Sequence, residues 1–150
     1  MQAENTKSFP CFVVDTSFMV AYLLNGLCSD ELSGCVSNIE YVLLNNGQLY
    51  VPQLFWYEIY NAILSKTRRS SGGISKADAM DILYDLQKLP IYTEPQPDAQ
   101  IRSRIFDLAQ EYNLSFYDAS YLELARRNGL ELKTYDEDLQ NLKCFSYEKN

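Results

Sequence analysis

Carboxylates that directly follow or interrupt apolar segments are the residues of this chain best suited to chemistry. Asp15 ends the run "CFVVD", Glu58 lies inside "LFWYEIYNAIL", and Asp136 follows "LELKTY". Asp118 stands three residues after Ser115, near the expected start of a helix. A charge beside buried apolar residues costs free energy unless a partner holds it. These four acids are therefore candidates for one functional site.

The overall composition narrows the chemistry further. The 150 residues include no histidine, which removes the commonest general base and with it Ser-His-Asp and Cys-His catalysis. The chain has 13 Lys plus Arg against 20 Asp plus Glu, a net charge of −7. That balance argues against a protein that coats nucleic acid by neutralising phosphates. It permits an acidic pocket, because a bound cation would reverse the local field.

Cysteine usage and the lack of long apolar runs indicate a single intracellular domain. None of the four cysteines, Cys11, Cys28, Cys35 and Cys144, forms a C-x-x-C pair, which favours reduced, mostly buried thiols. No apolar run reaches the ~20 residues of a membrane span, and "MQAENTKSFP" lacks the apolar core of a signal peptide. We therefore expect one cytoplasmic domain over residues 1–150, with residues 1–10 as a loose lead-in and no membrane contact.

Short apolar strands alternate with helices along the chain. The predicted strands are "CFVVD", "QLYVP", "IYT", "LELKT" and a closing "CFSY". The predicted helices are "TSFMVAYLL" with Thr16 or Ser17 as N-cap, a segment that opens at Ser29 or Asp30, "LFWYEIYNAILSKTRR", "KADAMDILYDLQK" after Ser75, one with Ile101 and Ile105 on its apolar face, one from Ser115 to Asn128, and "DEDLQNL". This alternation predicts an α/β fold, a three-layer α/β/α sandwich with a mostly parallel central sheet.

Such a fold would bring the four acids together. Ligands of open parallel sheets bind outside the carboxyl ends of the strands, where Asp15 and Asp136 are expected. Glu58 and Asp118 fall in early helical turns near the same edge. Carboxylates that converge repel one another unless a cation joins them. Mg²⁺ or Mn²⁺ suits such oxygen ligands and activates water for attack at phosphorus. The alternative is that Asp15, Asp118 and Asp136 merely favour or cap helix N-termini, and that Glu58 lies on the exposed face of its helix.

Four segments, in this order, resemble the sequence blocks of the PIN domain: "VVDTSFMVAYLL", "VPQLFWYEIYNAIL", "LSFYDASYLELA" and "LKTYDEDL". The small single-domain members of that family are the VapC-type ribonuclease toxins of bacterial toxin–antitoxin pairs. The resemblance implies that Asp15, Glu58, Asp118 and Asp136 form an acidic quartet that holds Mg²⁺ or Mn²⁺. It also suggests polar helpers, which are Thr16 or Ser17, Asn61 and Thr134.

The same resemblance implies a function and partners. We expect a metal-dependent endoribonuclease that cleaves RNA, forms a homodimer and is neutralised by an antitoxin protein. Phe55, Trp56, Tyr57 and Tyr60 crowd one short helix, and those that remain exposed would favour interfaces. Asp138 competes with Asp136 for the last metal position, and the spacing from Thr134 favours Asp136.

Two other functions are compatible with clustered acids. A PIN fold can serve as a protein-binding scaffold without catalysis, and a flavodoxin-like receiver also places acids and Mg²⁺ at strand ends.

The basic residues flank a glycine loop or end a helix, where cations are favoured on electrostatic grounds alone. They are Lys66, Arg68, Arg69 and Lys76 around the loop, and Arg126 and Arg127 at the helix end.

Overall fold

Strands and helices alternate through residues 9–24 and 33–142, the part of the chain that the computed structural model describes. The strands are β1 (Cys11–Val14), β2 (Gln48–Val51), β3 (Ile91–Thr93) and β4 (Glu131–Lys133). The helices are α1 (Thr16–Leu23), α2 (Ser33–Leu44), α3 (Leu54–Thr67), α4 (Lys76–Gln87), α5 (Ala99–Tyr112), α6 (Phe116–Asn128) and α7 (Glu137–Gln140). The predicted lead-in up to residue 8, the helix start at Ser29 or Asp30, the closing strand "CFSY", and Cys28 and Cys144 lie outside the described residues.

The four strands form one parallel sheet in the order β3-β2-β1-β4. The chain moves outward from β1 to β2 and β3, and then returns to place β4 on the other side of β1. The topological switch point therefore lies between the neighbouring strands β1 and β4. Ligands of such sheets bind there, beyond the carboxyl ends of the strands. Helices flank the sheet, and the predicted α/β architecture with a parallel central sheet is confirmed.

The core is built from the sheet and the helices packed on it. Val13 and Val14 of β1 and Leu49 and Val51 of β2 are fully buried, as expected for short strands covered by helices. α6 packs against β1 and β4, and α1 packs against α3. Asp15, which follows β1, and Asp118, in the first turn of α6, are therefore attached to elements of the buried core. Cys35 is buried and Cys11 is half-buried, and both are reduced thiols.

Most helix ends match the chemistry of their sequences. Ser75 and Ser115 cap α4 and α6, and each hydroxyl oxygen accepts a hydrogen bond from the backbone N–H three residues on. Asn113 and Gly129 end α5 and α6 in the left-handed conformation. These caps fix where α6 begins, and with it the position of Asp118.

Three of the basic residues at helix ends lie far along the helix from Glu58 or have partners within the fold. They are Arg68, Arg126 and Arg127. Glu58 and Arg68 are ten residues apart along α3 and its cap, which is about 15 Å at the rise of a helix. Arg127 binds Glu123 at 2.9 Å and also Glu94. Arg126 donates to the Tyr112 hydroxyl at 3.3 Å. Arg126 and Arg127 thus join α6 to its neighbours.

Across the described ranges, none of the helices has both the length and the apolar character needed to cross a lipid bilayer.

Candidate active site

Asp15 is a buried carboxylate at the junction of β1 and α1. It is 5% exposed, and its backbone N–H donates to the Lys133 carbonyl of β4. Oδ1 accepts from the Phe18 N–H at 3.0 Å, so Asp15 itself is the N-cap of α1. The prediction of Thr16 or Ser17 as N-cap was wrong, because the helix begins one residue earlier and the carboxylate reaches its free N–H groups.

Two hydroxyl groups fix the Asp15 carboxylate from the side. The Ser17 hydroxyl donates to Oδ1 at 2.6 Å, and the Thr134 hydroxyl donates to Oδ2. Thr134 lies just beyond β4 and is 2% exposed. These hydrogen bonds link the ends of β1 and β4 at the switch point. They also leave the Asp15 side chain little freedom to rotate.

Thr134 and Ser17 also organise the turn that carries Asp136. The Thr134 oxygen accepts from the Asp136 N–H at 2.9 Å, and the Ser17 oxygen accepts from the Tyr135 N–H at 3.0 Å. Asp136 is half-buried and caps α7, where Oδ1 accepts from the Leu139 N–H at 3.2 Å. Asp136 is thus tied to Asp15 through a single shared hydroxyl, whereas Asp138 is exposed in the first turn of α7.

Asp118 lies in the first turn of α6 and is half-buried. Burial raises the pKa of the Asp118 carboxyl, and the Ser115 hydrogen bond opposes that rise. The negative charges of Asp136, Asp15 and Asp138 raise the pKa of Asp118 further, in that order. The acids on β1, α6 and the turn after β4 therefore lie within electrostatic reach of one another.

Glu58 completes this acidic cluster from α3. Burial is the main cause that raises the pKa of its carboxyl, and the charges of Asp118 and Asp15 add to it. Hydrogen bonds with Tyr121 and Thr16 act in the opposite direction on the pKa of Glu58. Glu58 therefore lies within electrostatic reach of Asp118 and Asp15.

Burial also raises the pKa of Asp15, with the Asp136 charge as a smaller cause in the same direction. The hydrogen bonds from Ser17, Thr134 and the Phe18 N–H lower the pKa of Asp15 and offset part of that rise. These hydrogen bonds favour the charged form of a desolvated carboxylate, while burial favours the neutral form. Asp15 thus caps α1 and also has the oxygen donors that suit a hard cation.

The donor types fit a hard divalent cation, since Mg²⁺ and Mn²⁺ prefer carboxylate and water oxygens. Within residues 9–24 and 33–142, however, no three His, Cys, Asp or Glu side chains are arranged as a ready-made metal site. Asp15 is fixed by its hydrogen bonds, while Asp118 and Asp136 are half-buried. The acidic cluster thus has one member, Asp15, that is fixed by hydrogen bonds and others that are only half-buried.

The role of Tyr121 was not predicted from the sequence. Asn61 was predicted as a polar helper beside Glu58. Tyr121 donates its hydroxyl to Glu58 Oε1 at 2.7 Å, whereas Asn61 is exposed on α3. The spacing could have indicated that Tyr121 lies near the acids, because it follows Asp118 by three residues and such pairs share a helix face. Among the other predicted helpers, Thr16 lies 3.3 Å from the Tyr121 hydroxyl.

A parallel sheet with acidic residues at the carboxyl ends of its strands suits a carboxylate-dependent enzyme, and the family match identifies which fold family it is. The chain belongs to the PIN domain family, which it matches over residues 12–143. The family assignment confirms the resemblance found in the sequence, and it replaces the alternative of a flavodoxin-like receiver.

Individual relatives support the same assignment. The chain is 27% identical over 127 residues to Ribonuclease VapC3 of Pyrobaculum aerophilum, covering 85% of this chain and 90% of that protein. The crystal structure of PAE2754 from Pyrobaculum aerophilum matches with a TM-score of 0.61 at 21% identity, over 92% of this chain and 88% of the other. VapC20 of Mycobacterium tuberculosis, described as a toxin that cleaves the sarcin-ricin loop, matches with a TM-score of 0.60 at 15% identity, over 92% and 99%. At these identities the two structures establish the shared fold.

Proposed function

We propose that this chain is a Mg²⁺- or Mn²⁺-dependent endoribonuclease that hydrolyses RNA phosphodiester bonds. The observation that carries the proposal is the buried Asp15 carboxylate at the β1/β4 switch point. Asp118, Asp136 and Glu58 lie close enough for charge to couple them to it directly. Membership of the PIN family and the likeness to a protein named a ribonuclease support the reaction.

Asp15, Asp118 and Asp136 would hold the cation, and Glu58 would complete the site or orient a water. When bound, a divalent ion lowers the pKa of a coordinated water and stabilises the charge that develops on phosphate oxygens. We expect Asp118 and Asp136 to reorient on binding, because the acids are not arranged as a ready-made metal site.

Ser17 and Thr134 hold Asp15 rather than reach for substrate. Both hydroxyls donate to the carboxylate, and both oxygens accept backbone N–H groups of the turn after β4. Their effect is to hold the Asp15 carboxylate in one orientation and to oppose the rise of its pKa that burial causes. Asn61 is exposed one turn after Glu58, and we propose that it contacts the RNA or a water at the edge of the acidic cluster.

The test compares purified chain, free of any antitoxin, with two matched variants on the same RNA. Wild-type protein should cleave with Mg²⁺ or Mn²⁺ and lose cleavage in excess chelator. Asp15→Asn keeps the side-chain size and the α1 cap but removes the charge, and it should reduce the rate at least 100-fold, in line with about 2.7 kcal/mol of lost electrostatic stabilisation. Asp107→Asn, an exposed Asp on α5, is the control and should retain full activity.

Cleavage that continues in Asp15→Asn or in chelator would refute the proposal. A folded protein that neither binds Mn²⁺ nor cleaves RNA would instead support the alternative, a PIN fold that serves as a protein-binding scaffold.

We further propose that the protein is the toxin of a toxin–antitoxin pair and a homodimer. The described relatives include a protein called a toxin, and this chain exposes several apolar side chains on α3 and α4. They are Tyr57, Tyr60, Leu64, Met80 and Tyr84. Expression of the chain alone should arrest bacterial growth while Asp15→Asn does not, and light scattering should give twice the mass of one chain. Normal growth or a monomeric mass would contradict the respective part.

A further inference from the structure

Tyr121 carries a buried hydroxyl that connects two helices of the acidic cluster. The residue is 1% exposed, and its hydroxyl donates to Glu58 Oε1 at 2.7 Å. The Thr16 oxygen lies 3.3 Å from the same hydroxyl. Side chains from α6, α3 and α1 therefore meet at one oxygen atom. A buried tyrosine hydroxyl needs such a partner, but the partner here is one of the four clustered acids.

The position of Tyr121 is set by packing and not by the acids. It is the largest of the fully buried side chains and belongs to the core cluster with Phe55 and Leu124. A phenol ring has few rotatable bonds, so its hydroxyl is a donor at a fixed point. Glu58, by contrast, is half-buried on a flexible side chain. The fixed group thus orients the flexible one.

Resting on the function proposed above, we infer that Tyr121 is a positioning residue that holds the Glu58 carboxylate near Asp15 and Asp118, where Glu58 takes part in binding the divalent ion. The hydroxyl restricts the rotation of the Glu58 carboxylate by donating to Oε1, and a hydrogen bond with Thr16 restricts it further. Tyr121 itself touches neither the substrate nor the reacting atoms.

The test measures Mn²⁺ affinity by calorimetric titration of the full chain. Tyr121→Phe retains the ring and removes only the hydroxyl, and it should weaken Mn²⁺ binding about 10-fold, as expected when a group that orients a metal ligand is lost. Tyr112→Phe is the control. Its hydroxyl also has a partner, accepting a hydrogen bond from Arg126, but that pair lies outside the acidic cluster, and its Mn²⁺ affinity should equal that of wild type.

A double-mutant cycle with Glu58→Ala separates positioning from general packing. If Tyr121 acts through Glu58, Tyr121→Phe should cause no further loss of Mn²⁺ affinity once Glu58 is absent. The same 10-fold loss in the Glu58→Ala background would overturn the inference, because the hydroxyl would then act by another route.

Glu58→Asp keeps the inference testable in case Tyr121→Phe does not fold. It preserves the charge but withdraws the carboxylate from the hydroxyl by one methylene, so Mn²⁺ affinity should also fall about 10-fold. Unchanged affinity in Tyr121→Phe or Glu58→Asp, with wild-type protein that binds Mn²⁺ and cleaves RNA, overturns the inference alone. Wild-type protein that binds no Mn²⁺ overturns the inference and the proposed function together.

Discussion

The hydroxyl of Thr134 donates a hydrogen bond to the carboxylate of Asp15 across 119 residues of sequence. It joins the ends of β1 and β4, the two strands that flank the switch point of the sheet. The same oxygen accepts the N–H of Asp136. One buried side chain therefore sets the relative positions of two of the four acids in the cluster.

Thr134→Val should destabilise the fold and weaken metal binding. Valine has nearly the same shape, so the packing is kept, while Asp15 and the Asp136 N–H each lose a buried partner. Leaving buried polar groups unsatisfied costs about 1–3 kcal/mol. We expect a lower urea midpoint and a Mn²⁺ affinity reduced about 10-fold or more.

Thr67→Val is the matched control for that substitution. Its hydroxyl donates to the Leu64 carbonyl near the end of α3, far along the helix from Glu58. Its Mn²⁺ affinity should equal that of wild type. Equal Mn²⁺ affinity in Thr134→Val would show that this hydroxyl does not organise the site.

The fold could be predicted from sequence because its determinants are local. Short apolar runs such as "CFVV" gave the strands, and Ser75, Ser115, Asn113 and Gly129 marked helix ends that the structure confirms. A parallel sheet followed from the alternation of strands and helices. Strand order did not follow from it, since which strand lies beside β1 is decided by long-range packing.

The acids of the candidate site could be proposed from the sequence, whereas the hydrogen bonds around them could not. Acids at strand ends stand out because charge rarely follows buried residues. The role of Tyr121 was hidden, since an aromatic residue on an apolar helix face usually just fills the core. The cap of α1 was misplaced because Thr16 and Ser17 are good cap residues by type, whereas the backbone made Asp15 the one that reaches Phe18. The direction of a side chain determines both the Tyr121 hydrogen bond and the N-cap of α1, and it does not follow from residue type.

The metal-free protein should lose stability as the pH rises from about 4 toward neutrality. The pKa values of Asp15, Glu58 and Asp118 are raised in the folded state, mainly by burial. A raised carboxyl pKa means that the folded state binds protons more tightly than the unfolded chain. Its contribution to stability is therefore complete below the unfolded pKa of about 4 and is lost as pH rises through the folded pKa values.

Urea unfolding of wild type and Asp118→Asn in chelator, over pH 4 to 8, measures this effect. Asp118→Asn cannot ionise and leaves the Ser115 cap intact, so its stability should fall less steeply over the range. An equal slope in both proteins would mean that Asp118 does not contribute to the pH dependence.

Divalent cations should stabilise the protein against heat. An ion that binds only the folded state at 100 times its Kd adds about 2.7 kcal/mol, which corresponds to roughly 5–10 °C in the Tm of a domain of this size. Calorimetry with Mn²⁺ should show this rise in wild type, and Asp15→Asn should abolish it. Potassium chloride at the same ionic strength controls for screening. A Tm that rises equally in Asp15→Asn would place the binding elsewhere.

The ion pairs between α6 and its neighbours should support the fold without affecting the site. Glu123 is 3% exposed and is bound by both Arg104 and Arg127. Arg127→Met would leave the buried carboxylates of Glu123 and Glu94 with less compensation, at a cost of about 1–3 kcal/mol. The urea midpoint should fall while Mn²⁺ affinity stays at the wild-type value. Lys88→Met, which breaks an exposed pair with Asp85, should leave the midpoint unchanged. A loss of Mn²⁺ affinity in Arg127→Met would instead show that the position of α6, and with it Asp118, depends on this network.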